Sequence, residues 1–304
     1  MKKFVSRILN KFCKKYFYTN RLLESYRYEK KQKDIENALI VFQMGKVGSS
    51  TIVRSLKHAD NQFNIYQIHV LTHEWIKKVE KQYRDASKIH GKVLIDEDLL
   101  ASMYLRKIID KKTVTKKFKV ITLIRDPIAR NISSFFQAFS IYFPNEARQF
   151  KINKTKFEDN LDLLIDIFLN EFERHDVPLL WFDVHMKPSF DIDVYKSDFD
   201  PSIGYKIYHG KTADLLLLRL EDLDKCAEKA FKMFLNIDKF ELEYTNISKE
   251  KEYGYAYGQF KNKIILPREY IDKIYHSKFV KHFYTEDEVQ IFKTRWSNNE
   301  KNSA

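Results

Sequence analysis

The chain has 304 residues, 44% hydrophobic and 15% aromatic, with only seven Gly and six Pro; this suits one large α/β domain or two small ones and argues against low-complexity tails and solenoid repeats. Fifty-four Lys and Arg against 42 Asp and Glu leave a net charge of +12, which fits nucleic acid, an anionic membrane, or a polyanionic small molecule or glycan, and which a soluble lysine-rich surface also explains. Two distant cysteines, Cys13 and Cys226, argue against a disulfide framework and point to a reducing compartment, and the nine histidines show no paired metal-ligand spacing.

Residues 1–36 form a basic segment with helical spacing. Phe4, Val5, Ile8, Leu9 and Phe12 share one face and lysines the other, which fits an interfacial helix on anionic lipid or an amphipathic helix packed on the domain. No apolar run reaches the ~18–20 residues that span a bilayer, and the start lacks a signal-peptide core. The expected location is cytoplasmic, with peripheral contact to the inner face of the membrane left open.

From residue 37 on, strands and helices alternate. Residues 38–44 (ALIVFQM) are a nearly continuous apolar run, as in a strand buried on both faces. Helix is expected over 50–58, strand over 63–70, and helix over 72–83 with Thr72 as N-cap. A further strand is expected at 92–95, a helix at 98–110 and a strong strand at 118–124. Helices over 131–142 and 157–174, a strand at 213–220 and a helix at 223–235 complete the pattern. Tyr253, Tyr255 and Tyr257 alternate as in a half-buried strand. The expected fold is α/β, a P-loop-like and mainly parallel sheet sandwiched by helices over 37–304, with ligands at the carboxyl ends of the strands.

Two motifs sit at such ends. The first is Gln43-Met44-Gly45-Lys46-Val47-Gly48-Ser49-Ser50-Thr51. Two glycines permit close backbone approach, the following helix start attracts phosphate, three hydroxyls add donors and Lys46 adds a point charge. It is not a Walker A loop, whose lysine follows the second glycine. Gly204…Gly210-Lys211-Thr212 has its glycines one residue too far apart and precedes a strand, so it is a chance match. The second motif runs from Arg125-Asp126-Pro127 through Arg130 to Ser133. Arg125 can fork onto a phosphate, and Ser133, on the next helix, can reach the same group. A salt bridge from Arg125 to Asp126 and a solvated Ser133 are the structural alternatives.

Together the motifs resemble the sulfotransferase superfamily. Gly45–Thr51 is similar to its 5'-phosphosulfate loop, with Gly45 where many members have proline, and Arg125–Ser133 is similar to the 3'-phosphate motif R-D-P-x-x-R-x-x-S of carbohydrate sulfotransferases. A looser resemblance, to a bacterial group of capsular polysaccharide synthesis proteins, rests on 66–71, 181–183, 246–253 and 281–284. The resemblance implies sulfuryl transfer from 3'-phosphoadenylyl sulfate (PAPS) to an acceptor hydroxyl, plausibly on a saccharide, without a metal. Gly45, Lys46, Val47, Gly48, Ser49, Ser50 and Thr51 would hold the 5'-phosphosulfate, with Lys46 on the bridging oxygen. Arg125 and Ser133 would hold the 3'-phosphate, and Lys249 and Lys251 would lie in a late basic flap or in a solvated loop.

His69, near the end of the second strand, is the leading general base, since histidine titrates near neutrality. His73, Glu97, Asp183 and His185 remain alternatives. Trp181 and Phe182 read as core, and 219–223 as a structural strand end. A P-loop kinase or NTPase, a non-catalytic nucleotide-binding protein of the capsule machinery, and a nucleic-acid binder are the rivals. The last lacks any recognition motif.

Overall fold

Strands β1 (Ala38–Phe42), β2 (Asn64–Ile68), β3 (Phe118–Ile124), β4 (Tyr205–His209) and β5 (Ala213–Arg219) form one sheet in the order β2-β1-β3-β5-β4. The computed structural model describes residues 2–32, 35–59, 63–111, 115–244 and 253–297, with side chains from residue 16 on, Ile152 excepted. β1, β2, β3 and β5 are parallel, and β4 is an antiparallel edge strand on β5. Every residue of β1 is buried, as its unbroken apolar run requires of a strand covered on both faces.

Helix α1 (Lys2–Lys31) precedes the sheet, α2 (Ser49–Ala59) joins β1 to β2, and α3 (His73–His90) and α4 (Glu97–Lys111) join β2 to β3. Between β3 and β4 lie α5 (Pro127–Gln137), α6 (Phe139–Tyr142), α7 (Pro144–Asn153), α8 (Leu161–Asn170), α9 (Val177–Trp181), a π-helical turn at Phe182–Met186, and α10 (Lys187–Phe190). After β5 come α11 (Leu223–Leu235), α12 (Gly254–Lys263), α13 (Arg268–Tyr275), α14 (Lys278–Phe283) and α15 (Glu286–Ser297).

Two buried devices fix the ends of β3 and β5. Asp126, the N-cap of α5, accepts from Ile128 N (3.1 Å), Tyr275 Oη (2.9 Å) and Trp296 Nε1 (3.2 Å). Arg219, at the end of β5, pairs with Asp222 (2.7 Å) and Glu288 and donates to Phe283 O (2.9 Å). Both anchor the C-terminal helices, and removing one partner of such a buried pair costs about 3–5 kcal/mol. Helix α5 is locked in turn by Phe135, whose ring meets Phe168 (5.4 Å), Phe172 (5.6 Å) and Phe260 (6.0 Å).

Several expectations change. Residues 92–95 are not a strand: Leu94 N donates to Ser87 Oγ (2.9 Å) and the adjoining Asp96 Oδ1 accepts from Leu99 N (2.8 Å), which makes the segment a loop leading into the cap of α4. The helix expected over 157–174 is a 3-10 turn, α8, and a loop from 171 to 176. The helix over 131–142 starts at Pro127 and breaks at Ala138. Tyr255 and Tyr257 lie in α12, not in a strand. Thr72 does cap α3, which runs on to Gly91 in the left-handed conformation. Gly210-Lys211-Thr212 is the turn of the β4–β5 hairpin, which excludes a phosphate loop there. Cys226 is buried and free; the side chain of Cys13 lies outside the described residues.

Candidate active site

The strand order switches direction at β1, with β2 on one side and β3 on the other. Crevices at such a switch are where open α/β sheets bind ligands. Here the loops after β1, β2 and β3 converge on one cavity of about 1500 Å³. Gly45, Lys46, Gly48, Ser49, Ser50 and Thr51 line it, as do His69, Arg125 and Ser133. Val47 is instead fully buried behind the loop, so it packs and does not contact a ligand. Lys249 and Lys251 lie outside the described residues.

The β1 loop is wound tightly. Gly45, Lys46 and Gly48 all have positive φ, at 75°, 65° and 94°. For Lys46 this is a strained conformation that the surroundings must hold. They do so through two arginines. Arg125 Nη1 donates to Lys46 O (3.1 Å), while Arg130 donates from Nη2 to Met44 O (2.5 Å) and from Nε to Gly45 O (3.2 Å). Arg130 is 2% exposed, and burial lowers its pKa to about 10. Gln43 Oε1 accepts from Gly45 N (2.5 Å) and completes the turn. The helix that follows presents the first-turn N–H groups of α2 at the cavity wall, where no intrahelical acceptor exists for them. Lys46 Nζ donates to Gln137 Oε1 (3.3 Å), which also accepts from Tyr253 Oη (2.8 Å).

Arg125 does not need Asp126 as a salt-bridge partner, because the Asp126 carboxylate is turned into the interior toward Tyr275 and Trp296. Arg125 is half-buried and faces the cavity, with further N–H donors beyond the one on Lys46 O. Ser133 is buried on the cavity side of α5, not solvated.

His69 follows β2 and lies against Gly45: a Cβ on Gly45 would be 3.5 Å from His69 Cε1. Its Nδ1 is 2.9 Å from Gln43 O, and its Nε2 is 2.9 Å from Asp98 Oδ2. Gln67 Nε2 donates to the same Asp98 oxygen (3.2 Å). Nδ1 also lies 3.3 Å from the Gln43 side-chain amide nitrogen, so it stands between an acceptor and a donor, whereas the carboxylate facing Nε2 favours the positively charged ring. Burial opposes that charge, but Asp98, the Gln43 carbonyl and Asp96 outweigh it and raise the His69 pKa.

The other base candidates fare differently. His73 is exposed and pairs with Asp110 (2.9 Å), and Glu97 and Asp183 are exposed and do not line the cavity. His185 lines it, but is buried between Trp75 (4.8 Å) and Trp181 (5.9 Å). Burial, helped by Arg174, pushes its pKa down to about 4. Trp181 and Phe182 are core, Trp181 against Phe42 at 4.9 Å.

Sequence reasoning passed over Asp98 and the role of Arg130. Arg130 was visible as the second arginine of the motif, whereas nothing in the spacing linked Asp98 to His69, 29 positions away. Among the described residues no group of three or more His, Cys, Asp or Glu side chains is placed to hold a metal ion.

A family model described as "Putative capsular polysaccharide synthesis protein" matches residues 149–285. No curated protein and no solved structure matches the chain. A second family model, "Sulfotransferase family", matches residues 34–190, just over half of the chain, and that span contains the β1 loop, His69, Asp98 and the Arg125–Ser133 motif. On that match, and on a mostly parallel α/β sheet with both motifs at its carboxyl edge, the chain belongs to the sulfotransferase family.

Proposed function

We propose that this sulfotransferase uses 3'-phosphoadenylyl sulfate as its donor and a saccharide hydroxyl as its acceptor, in the assembly of a capsular or surface polysaccharide. The observation that carries the reading is the convergence of the β1 loop, Arg125 with Ser133, and His69 with Asp98 on one cavity. The loop and the start of α2 suit the 5'-phosphosulfate, and Arg125 and Ser133 suit the 3'-phosphate. The saccharide is supported by the capsular family match over 149–285.

In the proposed step the acceptor oxygen attacks sulfur, and the bond from sulfur to the bridging phosphate oxygen breaks. The electron pair stays on that oxygen, where Lys46 offers positive charge. The acceptor proton passes to the His69–Asp98 pair. Because His69 Nδ1 is tied to Gln43 O and Nε2 already faces Asp98, the carboxylate is the member open to a new proton. His69 then holds Asp98 in place and balances its charge.

Calorimetric titration with 3'-phosphoadenosine 5'-phosphate, beside ATP with Mg²⁺, tests the donor. Tight binding of the first, lost in Lys46→Ala and Arg125→Ala, is expected. Binding of ATP with Mg²⁺ instead would replace the reading with a kinase or NTPase, and binding of neither would leave a scaffold without a donor site.

A further inference from the structure

Helix α1 uses one side to hold the domain. Phe17 is buried, Arg21 pairs with Glu80 (3.0 Å), Tyr18 accepts from Arg84 (3.3 Å) and Tyr28 packs on Tyr104 (6.2 Å). That side rests on α3 and α4. The other side carries Tyr16, Leu22, Leu23 and Tyr26, with 60%, 58%, 44% and 58% of their surface exposed. At helical spacing these four fall within an arc of about 120°, opposite the packed residues. In the sequence the same spacing continues upstream through Phe4, Val5, Ile8, Leu9 and Phe12. The four exposed side chains share one face of a helix of roughly 45 Å, and the sequence pattern upstream keeps to that face, which makes a stripe and not the scattered single residues of an ordinary surface.

Charge selects the occupant. Helix α1 holds ten Lys and Arg against two Glu, a net of +8 out of the chain's +12. A second copy laid along the stripe would set +8 against +8. An anionic bilayer would neutralise it, each basic residue near such a surface contributing about 1 kcal/mol. We infer that α1 is an interfacial helix that docks the enzyme on an anionic lipid surface, apolar stripe inward. Helices α3 and α4, on which it rests, also wall the cavity through Trp75, Lys78, Tyr83, Asp98 and Ser102. Docking therefore holds the acceptor side of the cavity about one helix diameter, ~10 Å, from the helix on the membrane.

The test is co-sedimentation of the full chain with vesicles of pure phosphatidylcholine and of equimolar phosphatidylcholine and phosphatidylglycerol, at low and high salt. Binding to the anionic vesicles alone, weakened by salt, is expected. Leu22→Glu with Leu23→Glu should weaken it about tenfold or more, with melting temperature unchanged because both side chains are exposed. Equal binding to both vesicles, binding to neither, or wild-type binding by the double variant would overturn the inference. So would a dimer in sedimentation equilibrium that the double variant dissolves, since the stripe would then face a second copy.

Discussion

Replacing Arg130 with methionine separates a donor contact from a loop clamp. The substitution keeps the bulk of the side chain and removes three hydrogen bonds, to Met44 O, Gly45 O and Asn131 Oδ1. Two backbone carbonyls are left without their partner, at about 1–3 kcal/mol each. Against this, a guanidinium whose pKa is lowered to about 10 no longer has to be buried, and that shift is worth about 3 kcal/mol. The net change in stability is thus between a gain of about 1 and a loss of about 3 kcal/mol, well within what a folded domain tolerates. The β1 loop suffers more than the fold. Lys46 sits at φ 65°, a strain of about 1–2 kcal/mol that the arginines hold in place. Once released, the loop must be rewound on each binding event, and at about 1.4 kcal/mol per decade the affinity for 3'-phosphoadenosine 5'-phosphate should fall about tenfold or somewhat more. Thermal melting and calorimetric titration measure the two effects on the same sample. An unchanged dissociation constant would refute the clamp, as would a protein that no longer folds.

The loop, the proposed base and a buried histidine give three further expectations. Gly48→Ala forces a side chain onto φ 94° and sets its Cβ 2.6 Å from Leu220 Cδ1; donor affinity should drop, and adding Leu220→Ala should not restore it, because the backbone and not the leucine is the obstacle. Asp98→Asn and His69→Gln should each lower turnover about a hundredfold or more while donor affinity stays within about threefold, and near-normal turnover in both would remove the pair from catalysis. The pH dependence of stability tests His185. Its folded pKa of about 4 lies below the ordinary value near 6.5, so the unfolded chain binds the extra proton first, and stability is lost as pH falls from about 6.5 toward 4, by about 3 kcal/mol at the end of that window. His185→Gln should flatten that slope in urea titrations between pH 7 and 5, relative to the parent, and an unaltered slope would contradict its burial in the neutral form.

Strong local patterns were legible in the sequence. The runs at 38–44, 118–124 and 213–220 have no polar face and lie in the middle of the sheet, so hydrophobicity alone identified them. Strand β4 was not: Tyr205–His209 is a short edge whose one aliphatic residue, Ile207, stands among tyrosines, Lys206 and His209, and it exists through its pairing with β5. Residues 92–95 misled for the opposite reason, since Val93, Leu94 and Ile95 supply strand-like side chains but Leu94 N is spent on the Ser87 hydroxyl and the next residue, Asp96, caps α4. The site divided in the same way. Lys46, Arg125 and Ser133 stood in local motifs, whereas the Asp98–His69 contact is made by two elements whose distance in space no spacing rule reports.

The two motifs, read separately as ligands for the two ends of a nucleotide, are one mechanical unit. Arg125 and Arg130 turn the carbonyls of Met44, Gly45 and Lys46 toward themselves. In a trans peptide the carbonyl and the next N–H point in opposite directions, so the N–H groups of Lys46 and Val47 are directed away from the arginines. Asp126, between them, is itself fixed by Tyr275 and Trp296 from the C-terminal helices. The shape of the β1 loop is thus set from residues up to 250 positions further along the chain. It follows that substitutions at Tyr275 or Trp296, which do not touch the cavity, act on the loop through Asp126 and Arg125. Tyr275→Phe removes one hydrogen bond to a buried carboxylate whose pKa burial already raises; it should weaken donor binding without altering the turnover of the bound complex, a split that a residue confined to core packing would not produce.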